Sequence, residues 1–143
     1  MAQTDIFSKN TQKVHEWLKD INQNADWDDQ NKSMAVLRAT LHELRDNLLI
    51  DHIAHLSAQL PLIIRGMFFE NWQPNDCPVK DRKAQIFLDA VEDQLYPYTD
   101  INIEKGVKAV LKTLSKHLSP GETAKIKNAL SKEIQQLWDN NPQ

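Results

Sequence analysis

Arg65 stands in the least polar part of the chain, Gln59-Leu60-Pro61-Leu62-Ile63-Ile64-Arg65-Gly66-Met67-Phe68-Phe69, and its charge is the first chemical question the sequence poses. An unpaired guanidinium among buried neighbours is expensive, so it must reach solvent, a carboxylate or a bound anion. Pairing with an internal acid such as Asp29, Glu43 or Asp46 is the default expectation. The alternative is a small anionic ligand in a pocket near Arg65 and Gln59.

The other chemically able residues are sparse. His52 and His55 lie on adjacent turns and, with Asp51, could form one edge of a metal site. There is no H-E-x-x-H pattern and no second histidine pair, so no metal and no cofactor is expected. His15, His42 and His117 read as surface or capping groups. Cys77 is the only cysteine, lies between Pro74 and Pro78, and has no local base, so it is expected to be inert. No catalytic residue is assigned. Lys105, Lys108, Lys112 and Lys116 form a basic stripe, extended by Lys125, Lys127 and Lys132. Acidic residues interrupt it and aromatics do not, so a solvated face is expected and nucleic acid is not.

The elements that would carry these residues are helical. Only three glycines occur in 143 residues, too few for sheets joined by tight turns. Val14, Trp17, Leu18 and Ile21 mark a first amphipathic helix. A second starts near Asp28 or Asp29 and carries Met34, Leu37, Leu41, Leu44 and Leu48. A third is expected from about Asp51 to Glu70, kinked at Pro61, with Gly66 allowing close packing or an early stop. A proline inside a regular helix costs about 3 kcal/mol, and the carbonyl it frees could in principle serve as a ligand, although packing is the commoner use. Asn71–Lys80 reads as the main linker. The fourth helix follows from about Asp81, bearing Phe87, Leu88, Val91 and Leu95. The fifth carries Ile103, Val107, Val110, Leu111, Leu114 and Leu118. Ser119-Pro120-Gly121-Glu122 starts a sixth, which runs to Trp138.

The second half repeats the first at a spacing of seventy residues without a gap. Leu37-Arg38-Ala39-Thr40-Leu41 lies over Val107-Lys108-Ala109-Val110-Leu111, Leu60 over Leu130, Ile64 over Ile134, and Trp17-Leu18 over Phe87-Leu88. The expected fold is therefore all-α, a six-helix bundle of two duplicated three-helix units, with repeats over residues 11–72 and 81–142 in one domain spanning 1–143. Pro61, Arg65 and Gly66 meet Ser131, Gln135 and Gln136, so any site is expected in the first copy.

Gln59-Leu60-Pro61, Arg65-Gly66, Phe68-Phe69 and Trp72, preceded by Val36-Leu37-Arg38-Ala39-Thr40-Leu41, resemble the bacterial family of domains of unknown function numbered 2267. Leu137-Trp138 matches the leucine-tryptophan ending of that family's second half. The resemblance covers nearly the whole chain and implies a small helical bacterial protein; it carries no activity, substrate or cofactor. The chain departs from the family where Phe68-Phe69-Glu70-Asn71-Trp72 stands in place of tyrosines and a glutamate-glycine-tryptophan ending.

The formal net charge of −3 gives no strong field toward polyanions. The uncharged run from Ile53 to Ile64 is well short of the ~20 residues that span a bilayer, so no membrane is expected. MAQTDIFSKN lacks a basic region before an apolar core, and with a lone cysteine this points to the cytoplasm. The functional expectation is a non-catalytic protein-interaction module that associates with a partner or with itself through Met67, Phe68, Phe69 and Trp72. The alternative is the anionic-ligand binder, for which Gln59 and Arg65 are the candidates.

Overall fold

The computed structural model describes residues 2–139, with side chains from residue 5 onward. Among these residues all regular structure is helical: α1 (Ala2–Ala25), α2 (Gln30–Asp46), α3 (Ile50–Gln59), α4 (Leu62–Phe68), a 3₁₀ turn at Pro74–Asp76, α5 (Ala84–Asp93), α6 (Ile103–His117), α7 (Pro120–Ala129) and α8 (Lys132–Asp139). The last residues of the second expected repeat lie outside the described residues.

Capping residues set several starts. Asp29 accepts from Lys32 N at the head of α2, Asn102 from Lys105 N at α6, and Ser119 from Glu122 N at α7. Each supplies an acceptor to an amide that has no partner within its helix.

Six helices become eight because two expected helices are broken, each after a leucine. The third is not a kinked helix: α3 ends at Gln59, and Pro61 stands before α4 with φ −58° and ψ 153°. Proline therefore sits outside any helix interior, and the cost of a mid-helix proline does not arise. The sixth breaks in the same way at Leu130-Ser131, where no proline exists. What the two corners share is a buried leucine, Leu60 at 2% and Leu130 at 4% exposure, followed four residues later by a fully buried isoleucine. A polar side chain then reaches back over each corner: Arg65 Nη2 donates to Leu60 O at 3.0 Å, and Gln135 Nε2 donates to Leu130 O at 2.8 Å.

One hydrophobic cluster draws on all eight helices. Most of the apolar residues picked out by their spacing are buried, from Trp17 and Leu37 to Ile134 and Trp138, while Met34, Leu88 and Ile103 are half-buried and Ile63, expected to be buried, is exposed. α1 packs along α6 and α5 along α2, while α2 and α6 also meet each other. At that meeting a Cβ on Gly106 would stand 3.1 Å from Val36 Cγ1, so the glycine permits the close approach. A polar pin holds α1 to α6: Asp20 accepts from Lys116 Nζ at 2.9 Å and pairs with His117 Nε2 at 2.7 Å, and His117 stacks on Trp17 with centroids 4.5 Å apart. Burial alone would raise the Asp20 pKa, but the hydrogen bonds from Lys116 and His117 hold it below its ordinary value. No helix among the described residues is long and apolar enough to cross a membrane.

Candidate interaction face

The corner between α3 and α4 shows where Arg65 goes. Its Nε donates to Ser57 O at 2.9 Å and its Nη2 to Leu60 O, both carbonyls at the end of α3. No carboxylate is involved, so the expected pairing with Asp29, Glu43 or Asp46 is corrected. The break at Pro61 leaves carbonyls without helical amides, and the guanidinium supplies the missing donors. The carbonyl freed near Pro61 is thus used within the chain. Arg65 clamps the corner through these two bonds.

The other end of α4 is held from α2. Arg45 is 3% exposed and donates through Nη1 to Phe68 O at 2.9 Å and to Glu70 O at 2.7 Å, while its Nε meets Asp46 at 2.8 Å. His42 Nε2 lies 2.7 Å from Met67 O, and its Nδ1 lies 2.9 Å from Gln94 Oε1. Gln94 Nε2 in turn donates to Glu43 Oε2 at 2.6 Å. Burial lifts the Glu43 pKa from its ordinary 4.5 to about 7, with the nearby Asp46 adding to the effect and Arg45 opposing it. Arg45 and His42 are absent from the sequence-based candidates. The available signal is that both adjoin the buried stripe Leu37-Leu41-Leu44 on the same helix.

The linker is tied to this cluster rather than free. Val79 N donates to Asp46 O at 2.8 Å, and Cys77 Sγ to Asp46 Oδ1 at 3.3 Å. Cys77 therefore has a local partner, contrary to expectation. Burial and the adjacent Asp46 carboxylate push its thiol up to about 11, which keeps it protonated and poorly nucleophilic near neutrality.

Held at both ends, α4 turns Ile64, Met67 and Phe68 inward and leaves Leu62 60% and Ile63 42% exposed. Gly66 lies on that outer face. A Cβ there would meet nothing within 4 Å, and the helix continues past it to Phe68, so neither close packing nor early termination explains the glycine. Phe69, half-buried, follows Leu62 and Gly66 at helical spacing. It meets Phe68 edge-on at 5.1 Å and Trp72 in a tilted contact at 5.3 Å. Gln59, at the end of α3, is exposed. Met67 and Phe68 are buried and cannot contact a partner, which corrects their expected place in an interaction surface.

Over residues 60–68 and 130–138 the pattern of buried and exposed positions is the same, but the outer face differs in chemistry. Leu62, Ile63 and Gly66 in the first segment correspond to Lys132, Glu133 and Gln136 in the second. Of these two matching segments, only α4 carries an apolar outer face.

The concavity nearest Gln59 holds about 320 Å³ and is lined by Asn10, Lys13, Trp17, Leu60, Pro61 and His117 besides Gln59; Arg65 does not line it. His52 and His55 form no metal edge either. His55 pairs with Glu122 across α3 and α7, and no group of three His, Cys, Asp or Glu side chains among the described residues could hold a metal ion.

Fold and face together define an all-helical protein with an apolar helix displayed on a clamped corner. The chain belongs to the family described as uncharacterized conserved protein, DUF2267, whose model matches residues 14–137. No curated protein matches the chain.

The clamp makes a specific prediction. Arg65→Ala should cost about 1–2 kcal/mol in urea unfolding, because it orphans the Leu60 carbonyl and one bond to Ser57. Arg65→Gln should cost less than half of that, since Gln135 makes the equivalent bond from the equivalent position. Equal losses for both variants would refute the clamp.

Proposed function

We propose that the protein is a non-catalytic interaction module made of two copies of a three-helix unit, and that it associates with a second copy of itself through the outer face of α4. The unit is duplicated over residues 11–72 and 81–142 within one domain. Three observations support the duplication: the matching corners, the Arg65 and Gln135 back-bonds, and a reciprocal pair of cross-links. Gln94 donates to Glu43 at 2.6 Å, and seventy residues away in each chain position Asn24 donates to Thr113 at 3.0 Å. The single free cysteine suits a reducing bacterial cytoplasm as its setting.

The observation that carries the interaction reading is the exposed apolar pair Leu62 and Ile63, with Gly66 between them and Phe69. Exposed apolar side chains scattered singly need no explanation, but a grouped set on one rigid face marks a contact surface. Gly66 lets another backbone approach closely, so two α4 helices can cross at their glycines. Leu62 and Ile63 of each copy then cover Phe69 of the other, with Gln59 and Trp72 at the rim. A net charge of only −3 opposes such pairing weakly.

Sedimentation equilibrium from micromolar to millimolar concentration tests this directly. The apparent mass should rise toward twice the chain mass of 16.5 kDa. A constant monomer mass at the highest concentration would end the self-association reading.

A further inference from the structure

Away from α4, a cleft of about 510 Å³ runs along α6, beside the end of α1. Lys105, Lys108 and Lys112 line it, one helical turn apart on a single face, with Ala109 as floor and Asn24 and Asn102 at its sides. Its volume lies within the range of roughly 300–1,000 Å³ typical of small-molecule sites. Glu104 also faces the cleft and pairs with Lys108 at 2.9 Å. Among the described residues Lys105 and Lys112 make no ion pair, so the cleft carries an excess of two positive charges over its one carboxylate.

The cleft is peculiar to α6. Seventy residues earlier the corresponding positions are Ala35, Arg38 and His42. Arg38 pairs with Glu70 at 2.8 Å, and His42 is buried against Met67 O and Gln94. The basic stripe of α6 is therefore not an inherited surface pattern, and three of its lysines share a concavity instead of spreading over a convex face.

We propose that this cleft binds a small phosphorylated ligand bearing at least two negative charges. The amines of Lys105 and Lys112 would each take phosphate oxygens as compact point charges. The Asn102 side chain is occupied by Lys105 N and the Asn24 amide by Thr113, so they fix the walls of the cleft. Lys108 shares its charge with Glu104, which limits affinity and screens the cleft against weaker anions. The α4 face plays no part in this site.

The test uses inorganic pyrophosphate as the probe, titrated into the full chain at low ionic strength and followed by ¹H–¹⁵N NMR. Saturable shifts should be confined to residues of the cleft. Lys105→Ala with Lys112→Ala should weaken binding by tenfold or more, and Glu104→Gln should tighten it severalfold by freeing Lys108. Both sites are exposed helix positions where alanine is well tolerated, so folding is not at stake. Absence of saturation, equal affinity in the double variant, or no gain from Glu104→Gln would each overturn the proposal. A parallel titration with short duplex DNA decides the ligand class. Shifts running along the whole stripe through Lys116, with none for pyrophosphate, would replace the small ligand with a polyanion and refute the site as stated.

Discussion

Arg45→Ala should lower the unfolding free energy by about 3 kcal/mol, the largest loss expected from any single polar side chain here. The side chain is buried, and its guanidinium ends α4 by donating to Phe68 O and Glu70 O. Alanine would leave two carbonyls and the Asp46 carboxylate without their donor and open space beside Phe68. In a chain of this length the melting temperature should fall by roughly 10 °C. Arg45→Lys should fall between the two, because an ammonium cannot reproduce the planar fork that spans two carbonyls and Asp46. The position seventy residues on is Ser115, which accepts from Trp138 Nε1 at 2.7 Å and bears no charge. Alanine there should cost only about 1 kcal/mol. Comparable losses at both positions in urea titrations would mean that Arg45 acts by packing volume alone.

Glu43→Gln should stabilise the protein at alkaline pH and have little effect in acid. The folded-state pKa is raised from the ordinary 4.5 to about 7, chiefly by burial. Between those values the folded chain holds a proton that the unfolded chain releases. Stability is therefore greatest below the unfolded value and declines as pH rises through about 7. Glutamine keeps an acceptor for Gln94 Nε2 and has no charge to desolvate. Because Glu43 is partly solvated, the gain near pH 8 is on the order of 1–2 kcal/mol, smaller than the shift alone implies. Melting curves should separate near pH 8, with the variant higher, and converge near pH 4. A constant offset across that range would show that Glu43 does not titrate in the folded protein as described.

The helical class and the core were legible because both rest on a three- and four-residue apolar period that local sequence carries in full. The two corners were not. Leu60 and Ile64 continue the apolar rhythm across the first break, and Leu130 and Ile134 across the second, so periodicity runs straight through both. Pro61 marked the first corner but suggested a kink, and Ser131, a helix cap, was hidden inside an apparently continuous helix. Arg65 stood out correctly as a charge that needed partners. Its partners were misjudged because they are backbone carbonyls, which exist as free acceptors only once the helix breaks. Arg45 draws no notice and His42 reads as a surface or capping group for the opposite reason: in His42-Glu43-Leu44-Arg45-Asp46 they look like an ordinary solvated face, yet both are buried. Only the return of residues 67–70 across α2 buries them, and that is a tertiary fact.

Within the candidate face, Gln59 is exposed, Phe69 and Trp72 are half-buried, and Arg65 bonds the Ser57 and Leu60 carbonyls. Of the residues that complete the face, Ile63 reads from the sequence as a buried neighbour of Arg65 and Gly66 as a packing or stop residue, while Leu62 carries no assignment. Their exposure could be anticipated only from the repeat, where Lys132, Glu133 and Gln136 occupy the same positions and advertise a solvated side.

That correspondence supplies the most direct test of the central claim. The triple variant Leu62→Lys, Ile63→Glu, Gly66→Gln gives α4 the outer face that α8 already bears in an equivalent setting, so its melting temperature should match or exceed that of the parent. Its sedimentation equilibrium should fit a monomer at every concentration where the parent doubles in mass. A folded triple variant that still dimerises with the parent's affinity would contradict the account and place the interface elsewhere.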